Sequence, residues 1–457
     1  MSDKMNMAKS YVGGKLLSQG LKFVMKDPEN NISSLLTWVN RLAILPHHKE
    51  QVQIATGHLL NRQSNWYQFA VKIFNQLAEN TIRTLAVNFF INATFLGVPR
   101  QKELEEKFAC NIPFAILIDP TEACNLHCEG CWAGEYDQGA NLSLELMDKT
   151  LQEAKDELGS YFVVVSGGEP LVRKDELLQL ARQHNDMAFH VFTNGTLVDE
   201  EFAEKVVEAG NISFAISVDG FAEAHDRRRG AGTFARVMEG MDIMREKGVA
   251  FGFSTTYHRY NTEEVGSDEY LQMLIDKGCI LGWFFTYVPV GINPNLEMMA
   301  TPEQREYMYH QVRGFREKYP IFIADFWNDG EATMGCIAAG RRYLHINASG
   351  DIEPCAFIHY AQHNIKEHSL LEALQGPLFM SYRKRQPFNQ NHLCPCPLID
   401  NPEQLADIID ESGAGSTQMA TKDHRKLAAS LGDYSREWGQ RSERLVIPGE
   451  KEFSRGL

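Results

Sequence analysis

The chain has 457 residues, a formal net charge of −15 and 44% hydrophobic residues, which describes a folded protein long enough for two or more domains. The negative balance argues against a nucleic-acid partner. Nine cysteines is an odd number. The Met1 end also lacks the charged start, apolar stretch and small-residue cleavage site of a secretory signal, so the cysteines read as cytoplasmic thiolates available to metals, not as a disulfide framework.

Residues 1–112 form an all-helical extension in this reading. "MAKSYVGGKLLSQGLKFVM", "DPENNISSLLTWVNRLAIL" and "NWYQFAVKIFNQLAENTIRTLAVNFFINATFL" place apolar residues at helical spacing, the second behind N-cap chemistry. The longest apolar run, Leu85–Pro99, is too short and too rich in Asn to span a bilayer. The extension carries 13 Lys and Arg against 8 Asp and Glu, so the acidic balance lies beyond it. Such a basic, apolar start reads either as a helical cap on the main domain or as a surface for peripheral contact with lipid headgroups or an acidic partner.

From residue 113 the rhythm changes. "FAILID", "YFVVVSGGEP", "AFHVFTNGT", "NISFAISVDG", "AFGFSTTY" and "GWFFTYVPVG" are strand-like runs separated by helix-like segments. Six such alternations predict an α/β architecture with a parallel sheet, either open and doubly wound or a partial (β/α) barrel. In both, chemistry gathers at the carboxyl ends of the strands, and every unusual loop here lies at that end.

The first of these loops holds Cys124, Cys128 and Cys131 in a C-x3-C-x2-C spacing. Three thiolates this close can bind three irons of a cube and leave the fourth to a non-protein ligand; zinc with a distant fourth ligand, or a cluster used only for electron transfer, are the alternatives. The next strand ends favour the open cube. "SGGEP" supplies Gly167 and Gly168 for close backbone approach and Glu169 for an ammonium group. "TNGT" (Thr193, Asn194) and "SVDG" (Ser217, Asp219) offer groups for a ribose, and "HDRRRG", with Arg227 to Arg229, offers guanidinium groups for a carboxylate. Each alone is ordinary turn or cap chemistry. Together they describe a site for an amino acid joined to a nucleoside.

This constellation, over about residues 113–291, resembles the radical S-adenosylmethionine (SAM) superfamily. The resemblance implies a partial (β/α)6 TIM-like barrel over 113–300 and a [4Fe-4S] cluster on Cys124, Cys128 and Cys131, whose open iron takes SAM. It further implies that Gly167, Gly168 and Glu169 meet the SAM amino group, that Ser217 and Asp219 lie near the ribose, and that Arg229 holds the carboxylate. A flavodoxin- or ferredoxin-like reductant would supply the electron. The sequence departs from the family at Gly130, where an aromatic residue usually precedes the third cysteine; Trp132 stands one position after that cysteine.

A second cysteine region follows. "CIAAGRRYLHINASGDIEPC" reads as a hairpin turning at Gly350 and holding Cys336 and Cys355 at its ends. "CPCP" adds Cys394 and Cys396. Residues 301–400 resemble the SPASM domain and its shorter relative, the twitch domain, which implies an auxiliary [4Fe-4S] cluster in a small C-terminal iron–sulfur domain. The four cysteines, Cys336, Cys355, Cys394 and Cys396, could close that cube with no iron left open; alternatively one of Cys394 and Cys396 is a bystander, with His392 or a substrate group completing the site, and zinc is the alternative metal. Residues 401–457 read as a helical tail packed on the surface. Asp325 and Asp329 are candidate catalytic bases beside aromatic stretches suited to line the reaction space, or else turn and cap residues.

The expected activity is therefore reductive cleavage of SAM to a 5′-deoxyadenosyl radical that abstracts hydrogen from an unactivated C–H bond. The basic apolar extension favours a lipid or other apolar small molecule; the SPASM resemblance favours a peptide or protein. A non-catalytic iron–sulfur electron carrier would not need the strand-end motifs. The expected location is the cytoplasm, with a peripheral membrane position as the variant.

Overall fold

The computed structural model describes residues 2–34, 57, 59–133, 139–291, 293–418 and 422–445. The second half of the periodic stretch that begins at Asp27 lies outside the described residues.

Seven parallel strands follow one another in space as they do in sequence: β1 (Ala115–Ile118), β2 (Phe162–Val165), β3 (Ala188–Thr193), β4 (Ile212–Ser217), β5 (Ala250–Tyr257), β6 (Leu281–Thr286) and β7 (Phe322–Asp325). A doubly wound sheet reverses its strand order at a switch point. No such reversal occurs between β1 and β7, so the partial barrel is the architecture. The strands are short runs of β-branched and aromatic residues, almost wholly buried, as parallel strands covered on both faces must be. Register brings their carboxyl ends to one side within a few residues: Ile118 pairs with Val165, Thr193 with Ile216, Ser217 with Ser254, and Tyr257 with Thr286.

The sheet does not stop near residue 300. Helix Pro302–Lys318, started by a Thr301/Gln304 capping box, leads into β7. The chain then returns to the opposite edge, where β8 (Tyr343–Ile346) pairs parallel with β1 and antiparallel with β9 (Asp351–Glu353). Two short strands follow, β10 (Tyr360–Ala361) and β11 (His363–Asn364), and β11 completes a sheet of ten. The predicted hairpin is present, fused to the barrel edge rather than forming a sheet of its own.

The extension comprises helices Ser2–Lys26 and Asn65–Gln76 and a continuous helical run, Glu79–Phe108, whose middle (Val87–Gly97) is wound as a π-helix. This run is longer than the apolar stretch in the sequence. By length and composition alone it is the one helix among the described residues that could cross a membrane. Its asparagines explain what it does here. Asn88 donates to the carbonyls of Asn185 and Met187, Asn92 to that of Asp186, Asn80 to that of Val207, and Gln101 to that of Gly159. Lys72 reaches the carbonyls of Ile275 and Cys279. These acceptors lie in the helix ends and turns that feed the amino ends of β2, β3, β4 and β6. The extension is thus a cap on the end of the barrel away from the chemistry, with Phe90 and Phe95 exposed and Phe89 set against Phe114 and Phe162 of the barrel.

Helix His424–Ser442 is more than a surface covering. Trp438 is fully buried, donates to the Leu393 carbonyl at 2.8 Å, and carries the Arg305 guanidinium 4.2 Å over its ring. Arg305 and Asp400, both fully buried, form an ion pair beside it.

Candidate functional site

The loop after β1 is held from two strand ends and one helix. Gly168 and Glu169, at the end of β2, donate their N–H groups to the carbonyls of Thr121 and Ala123, each at 2.9 Å. A Cβ on Gly168 would lie 2.4 Å from the carbonyl oxygens of Glu122 and Ala123; one on Gly167, at φ +109°, would lie 2.6 Å from that of Thr121. The two glycines are therefore required because the cysteine loop passes directly across them. At the end of β3, Asn194 and Thr196 bracket Asn125 of the loop through side-chain hydrogen bonds of 2.8 and 2.9 Å. The third tie comes from helix Ala222–Arg229, whose Arg228 carbonyl accepts from the Glu129 N–H at 2.9 Å.

Gly130 also finds its reason. At φ +64° it is in the left-handed region, and a Cβ there would lie 2.6 Å from the Tyr287 ring. The Tyr287 ring, directly after β6, fills the space beside Gly130, and its hydroxyl accepts from the Asn295 N–H.

Glu169 is buried and fully engaged. Thr193 donates its hydroxyl to it at 2.6 Å, and Asn194 and Leu171 donate backbone N–H groups at 2.7 and 2.9 Å. Burial pushes its carboxyl up, opposed by these donors and by the charge of Arg229. Asp219, fully buried after β4, accepts from Arg228, from Arg229 and from the Thr256 N–H at 2.9 Å. Although burial pushes it up, the two guanidiniums hold its carboxyl well below the usual range. Ser217 closes β4 just before it.

The helix separates the three consecutive arginines. Arg227 is exposed and pairs with Glu223, whereas Arg228 and Arg229 turn inward to Asp219. Arg229 lies close enough to Cys128, Cys131 and Glu169 for its charge to act on all three. Sequence reasoning passed over Arg228 and Tyr287. The helical spacing in "HDRRRG" was the available signal for the first; nothing local signalled the second.

Cys124, Cys128 and Cys131 are partly buried and mutually close; burial, and then the neighbouring thiols, push Cys124 and Cys131 up. Burial pushes Cys124 up to about 11, relieved in part by the Leu126 N–H on its sulfur. Such thiols keep their protons until a metal displaces them.

In the second region the cysteines divide. Cys336, Cys355 and Cys396 line one cavity of about 290 Å³ together with Trp327, Phe357 and Asp329. Cys394 is turned away into a small separate core with Tyr309, Leu393 and Trp438, its sulfur 3.3 Å from the Ser442 hydroxyl. Among the described residues no three His, Cys, Asp or Glu side chains close on a single ion position, the convergence one zinc needs. The sulfurs of a cube instead stand apart, one to each corner iron.

Trp132, directly after Cys131, joins the two regions. It stacks on His359 at 6.3 Å and meets Phe357 at 5.7 Å, and Phe357 meets Trp327 at 5.1 Å. An aromatic wall thus runs from one cysteine set to the other. Below it His345 is fully buried between Asp119 (2.8 Å) and Glu353 (2.7 Å). Burial pushes its imidazole down, but the two carboxylates prevail and raise it to about 10. This pins the end of β1 to the β8–β9 hairpin.

The two candidate bases separate as well. Asp325 alternates on β7 with the cavity-lining Ala324 and closes on Asn328 at 2.8 Å in the polar layer behind the strand. Burial, then the nearby Asp329, pushes its carboxyl up to about 7. Asp329 borders the cavity, with one oxygen held by Arg316 and the Asp325 N–H.

Comparisons with known proteins agree with this geometry. The model of the radical SAM superfamily matches residues 118–268, and that of SPASM, an iron–sulfur cluster-binding domain, matches residues 336–397. The AdoMet-dependent heme synthase of Methanosarcina barkeri is 29% identical over 57% of this chain and 82% of its own length. The mycofactocin maturase MftC of Mycobacterium ulcerans is 28% identical over 57% of this chain and 73% of its own. The crystal structure of Streptococcus suis SuiB bound to S-adenosylmethionine superposes with a TM-score of 0.56 at 19% identity, covering 67% of this chain and 78% of that one. A parallel barrel with three cysteines after its first strand and a second cysteine set on its edge is thus matched in sequence and in fold: the chain carries a radical SAM domain, with a [4Fe-4S] cluster for SAM, and a SPASM domain for auxiliary iron–sulfur.

Proposed function

We propose that Cys124, Cys128 and Cys131 hold the SAM-binding cluster and that the strand ends around them hold SAM. The donor set fits: three thiols on one short loop, with Glu169 and Arg229 close by. When bound, the cluster supplies the electron that breaks a C–S bond of SAM and frees a 5′-deoxyadenosyl radical. The chain's own part is binding and exclusion. Glu169, fixed by three donors, takes the amino group; Arg229, steadied by Asp219, takes the carboxylate; Ser217 and the Thr193–Asn194 turn border the ribose. The aromatic wall keeps water from the radical. A flavodoxin- or ferredoxin-like protein is the reductant. All nine cysteines are free, in keeping with a cytoplasmic setting.

The substrate we propose is a peptide. The observation that carries this reading is the aromatic wall between the two cysteine sets, a surface suited to an apolar side chain. It is supported by similarity to mycofactocin maturase and, at 26% identity, to the PqqA peptide cyclase of Granulibacter bethesdensis. A tetrapyrrole is the second reading, supported by the similarity to a heme synthase. The lipid reading loses its main argument, because the extension caps the amino ends of the strands and its exposed phenylalanines face away from the site. Within this function Asp329, which borders the cavity, is the better candidate base than Asp325.

Peptide, tetrapyrrole and lipid extracts of a deletion strain and its parent distinguish the three. The expected result is one peptide whose mass reverts to the unmodified value in the deletion strain. A change confined to tetrapyrroles or to lipids would overturn the peptide reading.

A further inference from the structure

The SPASM region offers four cysteines, enough to close one cube, yet the structure does not bring four together. Cys336 follows the loop after β7, Cys355 ends the hairpin after β9, and Cys396 follows the Cys394–Pro395 step; these three share one cavity. Their charges act on one another and on the same two phenols, Tyr343 and Tyr382, whose surroundings contain Cys336, Cys355 and Cys396 but not Cys394. The sulfurs are also prepared as cluster ligands. The Tyr343 hydroxyl donates to Cys355 at 2.8 Å, the Phe357 N–H to Cys355 at 3.5 Å, and the Leu398 N–H to Cys396 at 3.4 Å. Hydrogen bonds of this kind orient ligands and tune a cluster.

Cys394 has a different setting. Its side chain packs with Tyr309, Leu393 and Trp438, and its sulfur lies against the hydroxyl of Ser442 on the tail helix. The Asn401 amide donates to the Cys394 carbonyl at 2.8 Å and to the Cys396 carbonyl at 3.1 Å, fixing the turn that points the two thiols apart. To reach the cavity, Cys394 would have to leave a core that also holds the buried Arg305–Asp400 pair.

We propose that the auxiliary cluster is held by Cys336, Cys355 and Cys396 alone, and that its fourth iron faces the aromatic-lined cavity, open to an oxygen, nitrogen or sulfur donor of the substrate. Cys394 is a structural thiol that anchors the tail helix. The one acidic side chain lining the cavity, Asp329, has an oxygen committed to Arg316 and the Asp325 N–H. The two hydroxyls on the cavity are engaged, Tyr343 donating to Cys355 and Thr333 to the Gly335 carbonyl, and the aromatic walls Trp327, Phe326 and Phe357 bring no ligand of their own. A substrate donor on the fourth iron would be fixed beside the wall that leads to Cys131 and the SAM site. This inference rests on the reading of the SPASM region as a cluster domain.

The test uses the full chain with Cys124, Cys128 and Cys131 all replaced by Ala, so that the auxiliary cluster is observed alone. After anaerobic reconstitution and reduction, iron content and electron paramagnetic resonance are measured with and without 13C-cyanide. The expected result is one [4Fe-4S] cluster whose signal shifts and gains a 13C coupling on adding cyanide. Adding Cys394→Ser, which retains a group for Ser442, should leave iron content and coupling unchanged; adding Cys336→Ala or Cys396→Ala should remove the cluster. Loss of the cluster in a Cys394→Ser chain that still melts cooperatively would overturn the three-cysteine set. A cluster that takes no cyanide would overturn the open iron. If the triple variant holds no auxiliary cluster at all, the cluster-domain reading itself fails, an outcome distinct from both.

Discussion

Replacing Asp219 with Asn should destabilise the fold by about 3–5 kcal/mol, the cost of leaving a buried charge without its partner, and should also weaken SAM binding. Among the described residues Asp219 is the sole carboxylate that both Arg228 and Arg229 contact, and all three side chains are buried or nearly so. Asn keeps the shape and can still accept from the Thr256 N–H, but it cancels the charge. The two guanidiniums are then desolvated beside each other, and Arg229 loses the contact that aims it at the cysteine loop. The pH dependence has a definite sign. Because the Asp219 carboxyl is held below its ordinary range, its stabilisation is complete above about pH 4, the unfolded value, and is lost as pH falls further. At neutral pH the whole effect is visible. Arg227→Ala is the control. Its pair with Glu223 is exposed and should change stability by no more than about 1 kcal/mol. Denaturant unfolding and equilibrium dialysis against SAM measure both quantities.

Gly168→Ala should disable the SAM site while leaving the barrel folded. The added methyl group would lie 2.4 Å from two carbonyl oxygens of the cysteine loop, which are backbone atoms and cannot swing aside. The loop must lift, carrying Cys124 away from Glu169. A displacement on the order of 1 Å at a reacting site costs about 10²-fold, and that is the fall expected in the rate of SAM cleavage. Iron held by the SPASM region should be unaffected. Gly314→Ala, in helix Pro302–Lys318 with nothing within 4 Å of the new Cβ, should be neutral or stabilising by up to about 1 kcal/mol. Full cleavage activity in Gly168→Ala would show that the glycine does not position the loop.

Much of the fold was legible because its signals are local. Parallel strands buried on both faces appear as short apolar runs, and each unusual loop follows one of them. The cysteine spacing and the GGE segment are local as well. What escaped notice depends on distant pairs. Gly130 looked anomalous because Tyr287, which occupies the space, is far away in sequence. The asparagines in "NFFINATF" counted only against a membrane span until their acceptors, the turns ahead of β3, were seen. Consecutive arginines are equivalent in sequence, and the helix alone decides that Arg227 faces solvent while its neighbours face Asp219. Likewise Cys394 and Cys396 differ by two positions but belong to different cores. That β7 and the β8–β9 hairpin extend the same sheet was not legible, because β8 meets the first strand of the barrel, a partner far away in sequence.

The most direct test of the account is SAM cleavage by the reconstituted protein. Wild type and Cys128→Ala are loaded with iron and sulfide without oxygen, reduced with dithionite, and assayed for 5′-deoxyadenosine. Wild type should form it even without substrate, and Cys128→Ala should fall to background while keeping the iron of the SPASM region. Equal formation by the two proteins, or none from a wild type whose cluster is present and reduced, would contradict the assignment of the three-cysteine loop as the SAM site.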